Sequence, residues 1–377
     1  MIYFDNSATT KMHDEVLEAM MPYLKEGYGN PSSKYYPLAI EAKTAVENAR
    51  NEVARLVGCR EDEVIFTSGA TESNNMIIKG IADPFWGQQK SLVTTAVEHS
   101  SVLESMKYLA TKGFNISYLS VDKYGHVNID ELISELSDDV VLLSVMWGNN
   151  EIGALNDIEK IASLCKRKNI ILHSDATQVI GKVDITKAQS EVPFMSISAH
   201  KFHGPKGIGA AIIKKEINGM KRVLTPLLHG GGQEFDYRSG TLNVPGIVGM
   251  GKAAQIAYND LNQTRSKLME LEEYLVRKLQ DEFDGIIHLN SSAQITNKIP
   301  GIVNVRIDGI PNELLIKKVS HLISLSSGSA CSTTKPSHVL QGIGCSLDQV
   351  RSSLRISLSR NNTIDELNFF TQLLKGD

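Results

Sequence analysis

The chain has 377 residues, of which 42% are hydrophobic and 22% are charged, which is ordinary for a globular protein large enough for two domains. Its 39 basic and 43 acidic residues give a formal charge of −4, which argues against a surface that binds nucleic acid directly. The longest apolar run, 140–147, is too short to cross a membrane, and the N-terminus has no secretion-signal pattern. We therefore expect a cytoplasmic protein whose partners are small molecules or other proteins.

The four cysteines, Cys59, Cys165, Cys331 and Cys345, are widely spaced and form no CxxC pair. In a long chain without a secretion signal, this spacing argues against a disulfide framework and against a zinc site. We expect reduced thiols and no bound metal.

The first elements of the chain predict a helix, then a strand, then another helix. Apolar residues from Ala39 to Leu56 recur every three or four positions and stop before Gly58, which is typical of an amphipathic helix that ends at glycine. The segment EVIFTSG, 63–69, predicts a strand, and ATESNNMIIKG returns to helical spacing. This is the first of several strand-then-helix units.

Later segments repeat this alternation. Four short apolar or β-branched runs, SLVTTAVEH (91–99), VVLLSVMW (140–147), NIILHSDAT (169–177) and VPFMSISAHK (192–201), are separated in several places by helical stretches such as DIEKIASLCKRK. The pattern indicates an α/β fold with a parallel sheet covered by helices. A long helix opens near 257–264, with Leu261, Leu268, Leu271, Leu275 and Leu279 on one face. We place a boundary there, between a large domain, 13–259, and a small domain formed by 1–12 and 260–377.

Ligands of open α/β sheets bind beyond the carboxyl ends of the strands, so the residues there are the candidates for chemistry. Ala70 and Thr71 follow the first predicted strand at a predicted helix N-terminus, where backbone N–H groups and the Thr71 hydroxyl could hold a phosphate. The alternative is that Ser68 or Thr71 simply caps the helix.

Two further strand ends offer a carboxylate and an amine. One strand ends at Asp175, with Gln178 three residues later, and another ends at Ser198, His200 and Lys201. Pyridoxal phosphate needs an amine for its Schiff base and an acid next to its pyridine nitrogen. The alternatives are that Lys201 is a solvated surface residue and that Asp175 caps a helix.

His99 and Asn150 also follow predicted strands. His99 could lie against a cofactor ring and move protons, or it could be an ordinary histidine in a strand-to-helix turn, since Ser101 and Glu104 have the spacing of a capping box. The Asn150 amide could reach a ring oxygen or a substrate carboxylate, whereas turn formation is the alternative.

The segment SSGSACSTTK, 326–335, places Cys331 among small polar residues that offer nothing for a buried thiol to pack against. This composition favours an accessible thiol that can move between two positions. A surface loop with an incidental cysteine is the alternative.

The whole set of motifs resembles the NifS/IscS-type cysteine desulfurases. TSGATESNN, EHSSVL, NNEIG, HSDATQ, SAHKFHGPKG, HGGGQE, RSGT, SSGSACS and RISLSR occur in the order seen in that family. The resemblance implies fold type I of the pyridoxal-phosphate enzymes, as in class V aminotransferases, with a mostly parallel seven-stranded sheet in the large domain and a smaller α/β domain. It implies a homodimer that converts L-cysteine to L-alanine through a Schiff base of pyridoxal 5'-phosphate and passes the sulfur, as a persulfide, to an acceptor protein.

The same resemblance implies a role for each candidate residue. Lys201 forms the Schiff base and carries protons, Cys331 receives the sulfur, and His99 stacks on the ring. The remaining expected contacts are Asp175 to the pyridine nitrogen, Gln178 and Asn150 near the ring oxygen, Asn150 and Arg355 at the substrate, Ala70, Thr71, Ser198 and His200 at the phosphate, and Thr241 at the phosphate of the neighbouring subunit.

Several acceptors and two other functions stay open at this point. The loop resembles that of the long-loop branch of the family, and because few residues follow Arg355 we expect the chain to lack the extended tail of housekeeping members. The acceptor could be an iron-sulfur scaffold, a tRNA-thiolating enzyme or a DNA-phosphorothioation enzyme. A selenocysteine lyase or aminotransferase on the same fold is disfavoured because transamination needs no thiol. A protein that only docks sulfur-transfer partners would not keep all the pyridoxal-phosphate residues.

Overall fold

Helices and strands alternate through most of the chain. The structure, a computed structural model, describes residues 1–217, 220–221, 224–292, 294, 297–328 and 336–375. The helices are α1 (Asp14–Lys25), α2 (Pro37–Val57), α3 (Ala70–Ala82), α4 (Ser100–Ala110), α5 (Ile129–Glu135), α6 (Ile158–Lys168), α7 (Thr186–Gln189), α8 (Val244–Asn259), α9 (Leu261–Glu282), α10 (Asn312–Val319), α11 (His338–Gly342), α12 (Leu347–Arg351) and α13 (Ile364–Lys375). The strands are β1 (Ile2–Tyr3), β2 (Val64–Thr67), β3 (Ser91–Thr95), β4 (Asn115–Leu119), β5 (Val140–Ser144), β6 (Ile171–Asp175), β7 (Phe194–Ser198), β8 (Gly209–Ile213), β9 (Glu216–Ile217), β10 (Met220–Lys221), β11 (Ile287–Leu289), β12 (Ile302–Ile307), β13 (Ile323–Ser324) and β14 (Ser353–Ser357).

The largest sheet has seven strands in the order β2-β8-β7-β6-β5-β3-β4. Strand β8 is antiparallel to both of its neighbours, and the pairs from β7 to β4 are all parallel. The α/β class and the mostly parallel seven-stranded sheet predicted above are therefore confirmed.

Both faces of this sheet are buried, because successive residues of a strand point to opposite sides. In β2, Val64 and Phe66 belong to one hydrophobic cluster, together with residues of α2, α6 and α8. Ile65 between them belongs to a second cluster, with residues of α3 and α4. The continuous apolar runs in the sequence reflect this coverage on two sides.

Helix α2 shows how the sequence pattern determines local structure. It ends at Gly58, which has a φ of 84° and whose N–H donates to the Ala54 carbonyl (2.8 Å), so the predicted glycine terminator is confirmed. The helix packs on α8 at a point where small residues face each other. A Cβ on Gly251 would lie 2.5 Å from Ala49 Cα, so the close approach of the two helices requires glycine there.

A smaller three-stranded antiparallel sheet, β11-β12-β14, lies against α9 and α13. The predicted leucine face of α9 is buried at Leu268, Leu271, Leu275 and Leu279, and Phe4 from the N-terminal segment joins this third cluster. In the described part of the chain, no helix combines the length and apolar character required to cross a membrane.

Candidate active site

The carboxyl ends of the parallel strands open into a cavity of about 630 Å³. The cavity is lined by Ser7, Ala8, Thr9, Ser68, Gly69, Ala70, Thr71, Glu72, Glu98, His99, Ser100, Met146, Gly148, Asn150, Glu151, Asp175, Thr177, Gln178, Ser198, His200, Lys201, Lys206, Gly207, Gly328, His338 and Arg355. All the candidate residues named from the sequence are in this set except Thr241 and Cys331. Thr241 is exposed and does not line the cavity, and Cys331 lies outside the described residues.

Lys201 ends the single turn of 3-10 helix, Ala199–Lys201, that follows β7. Its Nζ donates hydrogen bonds to the carbonyls of Ser7 (2.6 Å) and Ala8 (2.8 Å) in the N-terminal segment. The amine is thus held at the cavity wall, and Lys201 is not the solvated surface lysine of the alternative interpretation.

Asp175, the last residue of β6, is buried, and both of its carboxylate oxygens accept hydrogen bonds. Asn74 Nδ2 donates to Oδ2 (2.8 Å), and the Thr177 N–H donates to Oδ1 (3.0 Å). The described helices do not begin at this residue, so Asp175 does not cap one. On the same wall, Gln178 Nε2 donates to the Ser7 carbonyl (2.9 Å) and its Oε1 accepts from Lys182 Nζ (3.3 Å).

The N-terminus of α3 forms the end of the cavity where a phosphate was predicted. Gly69 is the N-cap, with a φ of 150° and no side-chain capping bond, so the alternative of a cap by Ser68 or Thr71 is wrong. A Cβ on Gly69 would lie 3.5 Å from Ser198 Oγ, so this hydroxyl is close to the start of the helix. Glu72 on the first turn is paired with Arg238 (2.9 Å), which offsets its negative charge.

His200 lies beside this end of the cavity. Its Nδ1 is 3.1 Å from Thr9 Oγ1, and burial, followed by the nearby charges of Lys201 and Lys206, lowers its pKa to about 4. His200 is therefore neutral at neutral pH, and the Lys206 amine supplies positive charge on this wall.

His99 is the N-cap of α4. Its Nδ1 accepts from the Ser101 N–H (3.2 Å), whereas Glu104 pairs with Lys107 (2.7 Å). The capping box suggested for Ser101 and Glu104 is wrong, because the helix begins at Ser100 and the imidazole nitrogen takes the place of the capping hydroxyl. Burial lowers the pKa of His99, so its ring is neutral at neutral pH.

Arg355 on β14 is almost completely buried, and its guanidinium already contacts a carboxylate. Nη2 donates to Asp5 Oδ1 (2.7 Å), and Nη1 donates to the carbonyls of Asn150 and Gly328 (both 3.0 Å). Asn149, next to Asn150, forms the turn that was the alternative interpretation of this segment, since its Oδ1 accepts from the N–H groups of Glu151 and Ile152. A substrate carboxylate bound by Arg355 must therefore share the guanidinium with Asp5 or displace it.

The sequence analysis missed the N-terminal segment and five titratable residues of the cavity, Glu72, Glu98, Glu151, Lys206 and His338. Burial raises the pKa of Glu98 to about 8 and also raises that of Glu151. Glu151 accepts from Ser337 Oγ (2.5 Å), and the His338 ring lies 2.9 Å from the Glu98 carbonyl. The two acids stand next to candidates already named, His99 and Asn150, and this adjacency was the signal available in the sequence.

The chemistry of the cavity fits pyridoxal phosphate. An amine, a buried carboxylate and a helix N-terminus with a nearby hydroxyl line one space that is large enough for a cofactor and a small substrate. Ser7 Oγ and Glu98 Oε2, on two residues of the cavity wall, are buried without a hydrogen-bond partner among the described residues.

Comparison with known proteins agrees with this fit. The family described as "Aminotransferase class-V" matches residues 2–370. The "Cysteine desulfurase IscS" of Dictyoglomus turgidum is 40% identical over 377 residues, covering 99% of this chain and 93% of that protein. A solved structure described as "NIFS-LIKE PROTEIN" superposes with a TM-score of 0.91 at 38% identity, covering 100% of this chain and 98% of that one.

A second solved structure, "SspA in complex with cysteine", has a TM-score of 0.82 and 31% identity, covering 96% of this chain and all of the other. The chain belongs to the class-V aminotransferase family, within which it is a pyridoxal-phosphate-dependent cysteine desulfurase.

Proposed function

We propose that this desulfurase converts L-cysteine to L-alanine with Lys201, Asp175 and Arg355 as its central residues, and that Cys331 receives the sulfur as a persulfide. The observation that carries the assignment is that Lys201, Asp175, Arg355 and the N-terminus of α3 line the same cavity. The complex of SspA with cysteine supports the same class of substrate.

Lys201 and Asp175 occupy the two positions that the chemistry demands. When bound, pyridoxal phosphate supplies an electron sink for the electron pair at the substrate Cα. Lys201 holds the cofactor through its amine and later moves the proton at Cα. Asp175, whose carboxylate accepts hydrogen bonds from Asn74 and Thr177, would bind the pyridine nitrogen of the cofactor and favour its protonated form.

The phosphate is held at the start of α3. The first helical hydrogen bond runs from the Ser73 N–H to the Gly69 carbonyl (3.1 Å), so the N–H groups of Ala70 and Thr71 have no helical partner and are available to an anion. The hydroxyls of Ser198 and Thr71 and the ring of His200 complete this pocket within one subunit. Thr241 of the neighbouring subunit adds a further hydroxyl.

The remaining contacts orient the ring and the substrate. Gln178 would donate to the ring oxygen of the cofactor, Asn150 would lie beside that oxygen and the substrate, and His99 would stack on the ring. Arg355 binds the substrate carboxylate through its planar set of donors, in competition with Asp5.

Cys331 is the nucleophile because the other thiols are poor thiolates. Burial raises the pKa of Cys59 and Cys165 to about 12 and also raises the pKa of Cys345. Cys331 follows Gly328 by three positions, and Gly328 lines the cavity. The Cys331 thiolate attacks the substrate Sγ, an S–S bond forms as the substrate C–S bond breaks, and the electron pair of that bond returns to carbon, which takes up a proton.

We also propose a homodimer, two domains and a cytoplasmic location, as expected from the sequence. Exposed apolar side chains, among them Leu227, Leu228 and Phe235, precede Thr241 and support a subunit contact in that region. The separate cluster formed by Phe4 and residues between 268 and 370 supports the small domain 1–12 and 260–377. The sulfur acceptor is an iron-sulfur scaffold, a tRNA-thiolating enzyme or a DNA-phosphorothioation enzyme, as expected from the sequence.

Substitution of Cys331 tests the reaction. Cys331→Ser leaves Lys201 and Arg355 intact, so we expect L-cysteine to change the visible spectrum of the holoenzyme as in wild type, while alanine production is lost. Cys345→Ser is the matched control and should keep wild-type turnover. Mass spectrometry after alkylation should locate the persulfide on Cys331.

Two results would contradict this assignment: full turnover by Cys331→Ser, or persulfide on Cys59, Cys165 or Cys345. An aminotransferase would be indifferent to the substitution, so the experiment also excludes that alternative. In parallel, Lys201→Ala should fold and bind pyridoxal phosphate without the visible absorption of a lysine-bound cofactor.

A further inference from the structure

Two polar side chains that take no chemical step in the proposed reaction, Asn74 and Ser101, connect Asp175 to His99. Asn74 on α3 is completely buried, and its Nδ2 donates to Asp175 Oδ2 (2.8 Å) and to Ser101 Oγ (2.8 Å). Ser101, in the first turn of α4, has its Oγ 2.8 Å from His99 Nδ1. A continuous line of hydrogen bonds thus runs behind the cavity wall from the carboxylate to the imidazole.

The direction of each hydrogen bond follows from the groups that cannot change their role. A carboxylate oxygen only accepts, so the Asn74 atom that faces Asp175 is the NH₂ nitrogen, and its second hydrogen goes to Ser101 Oγ. The Ser101 backbone N–H only donates, and it points at His99 Nδ1 (3.2 Å). Nδ1 is therefore an acceptor, and the Ser101 hydroxyl directs its own hydrogen to it as well.

We propose that Asn74 and Ser101 are positioning residues that hold His99 neutral, with its single ring proton on Nε2. Nε2 has no hydrogen-bond partner among the described residues, and His99 lines the cavity. With two donors directed at Nδ1, a proton on that nitrogen would meet two other hydrogens, so the imidazolium is disfavoured. His99 then offers the cavity a hydrogen-bond donor and not a base.

The groups around His99 have opposing effects on its pKa. Burial lowers the pKa of His99, Asp175 raises it, and Lys201 and His338 lower it. The hydrogen bonds donated to Nδ1 stabilise the neutral imidazole further and so also lower the pKa of His99. The consequence for catalysis rests on the proposed function. In that reaction Lys201 removes the proton at the substrate Cα, while His99 donates a hydrogen bond.

The tautomer of His99 can be measured without using activity. Holoenzyme labelled with ¹⁵N-histidine is compared with the His99→Gln protein, which identifies the His99 signals in long-range ¹H–¹⁵N spectra. At neutral pH we expect the Nδ1 shift of an unprotonated nitrogen and the Nε2 shift of a protonated one. In Ser101→Ala and in Asn74→Ala, we expect a mixture of tautomers and a higher pKa of His99.

Matched controls separate positioning from general damage. Among the described residues, the Asn75 amide bonds only the Thr71 carbonyl and the Ser105 hydroxyl bonds only the Ser101 carbonyl, so Asn75→Ala and Ser105→Ala should both keep the wild-type tautomer. Ser101→Thr retains a hydroxyl and should restore the wild-type spectrum. If Asn74→Ala fails to fold, Ser101→Ala and Ser101→Thr still test whether the hydrogen bonds at Nδ1 set the tautomer of His99.

A proton on Nδ1 in wild type would overturn the proposal, as would an unchanged tautomer and pKa in Ser101→Ala. Lost alanine production in Ser101→Ala with an unchanged His99 spectrum would also count against it, because the defect would then be structural. A wild-type protein that shows the expected tautomer but does not desulfurate cysteine would contradict the proposed function alone.

Discussion

Glu98 illustrates how one side chain can couple stability to pH. It has no solvent exposure, its Oε1 accepts from Thr95 Oγ1 and from the Met146 N–H (both 2.8 Å), and burial raises its pKa from 4.5 to about 8. Between about pH 4.5 and pH 8, Glu98 is therefore protonated in the folded state and ionised in the unfolded state. Stability contributed by protonated Glu98 is lost as the pH rises through this window.

Substitution of Glu98 by glutamine tests this linkage. Glu98→Gln keeps the size of the side chain and cannot ionise, so its free energy of unfolding relative to wild type should rise steadily from about pH 5 to about pH 8. Urea denaturation of both proteins in the same cofactor state gives the measurement. Glu104→Gln, at an exposed position, is the control, and its free energy of unfolding should depend on pH as that of wild type does. Parallel curves for Glu98→Gln and wild type would show that the carboxyl does not titrate in this range.

The segment Glu234–Asp236 shows how a strained element is held in place. All three residues have a positive φ, between 50° and 71°, which side chains other than glycine seldom adopt. Glu234 is buried in a two-pronged pair with Arg50 of α2 (2.8 and 2.9 Å), and it also accepts from the Phe66 N–H of β2 (2.6 Å). One carboxylate thus ties the segment to a helix and a strand.

Loss of this carboxylate should destabilise the fold strongly. Glu234→Gln leaves the Arg50 charge buried without its main partner, so we expect the free energy of unfolding to fall by about 3–5 kcal/mol. Glu47→Gln removes the second carboxylate near Arg50, which is about half exposed, and should cost about 0–1 kcal/mol. Chemical denaturation of the two variants measures these decreases in the free energy of unfolding. Equal decreases would contradict the distinction between the buried and the exposed pair.

At the scale of the whole molecule, Thr241 provides a test of the proposed homodimer, because it does not line the cavity of the chain to which it belongs. If Thr241 completes the phosphate pocket of the neighbouring subunit, a heterodimer of Thr241→Ala and Lys201→Ala subunits contains one fully wild-type site. We expect half of its sites to bind pyridoxal phosphate as tightly as wild type and to show the visible absorption of a lysine-bound cofactor.

The measurement uses differently tagged subunits, purified as heterodimers and titrated with pyridoxal phosphate. The Thr241→Ala homodimer is the control and should bind the cofactor more weakly at every site. Heterodimers whose sites behave as in the two parent homodimers would contradict a shared pocket, and a monomer by light scattering would contradict the dimer itself.

The sequence by itself determined the alternation of strands and helices and fewer than half of the residues that line the cavity, among them the candidates for chemistry. Local signals suffice for these features: the spacing of apolar residues, the glycine that ends α2, and the rule that parallel strands bring their carboxyl ends to one edge. For this reason His99, Asp175 and Lys201 could be named as neighbours although they are distant in the chain.

Only the tertiary structure decided the contacts between residues whose partners depend on the packing of separate elements. The pair of Asp5 and Arg355, the buried pair of Arg50 and Glu234, and the line from Asp175 to His99 each join elements far apart in sequence. The capping of α4 by His99 rather than by a serine was also decided there, because the helix begins at Ser100 and the Ser101 N–H donates to His99 Nδ1. No periodicity encodes these contacts, since each requires the geometry of two surfaces that meet only after folding.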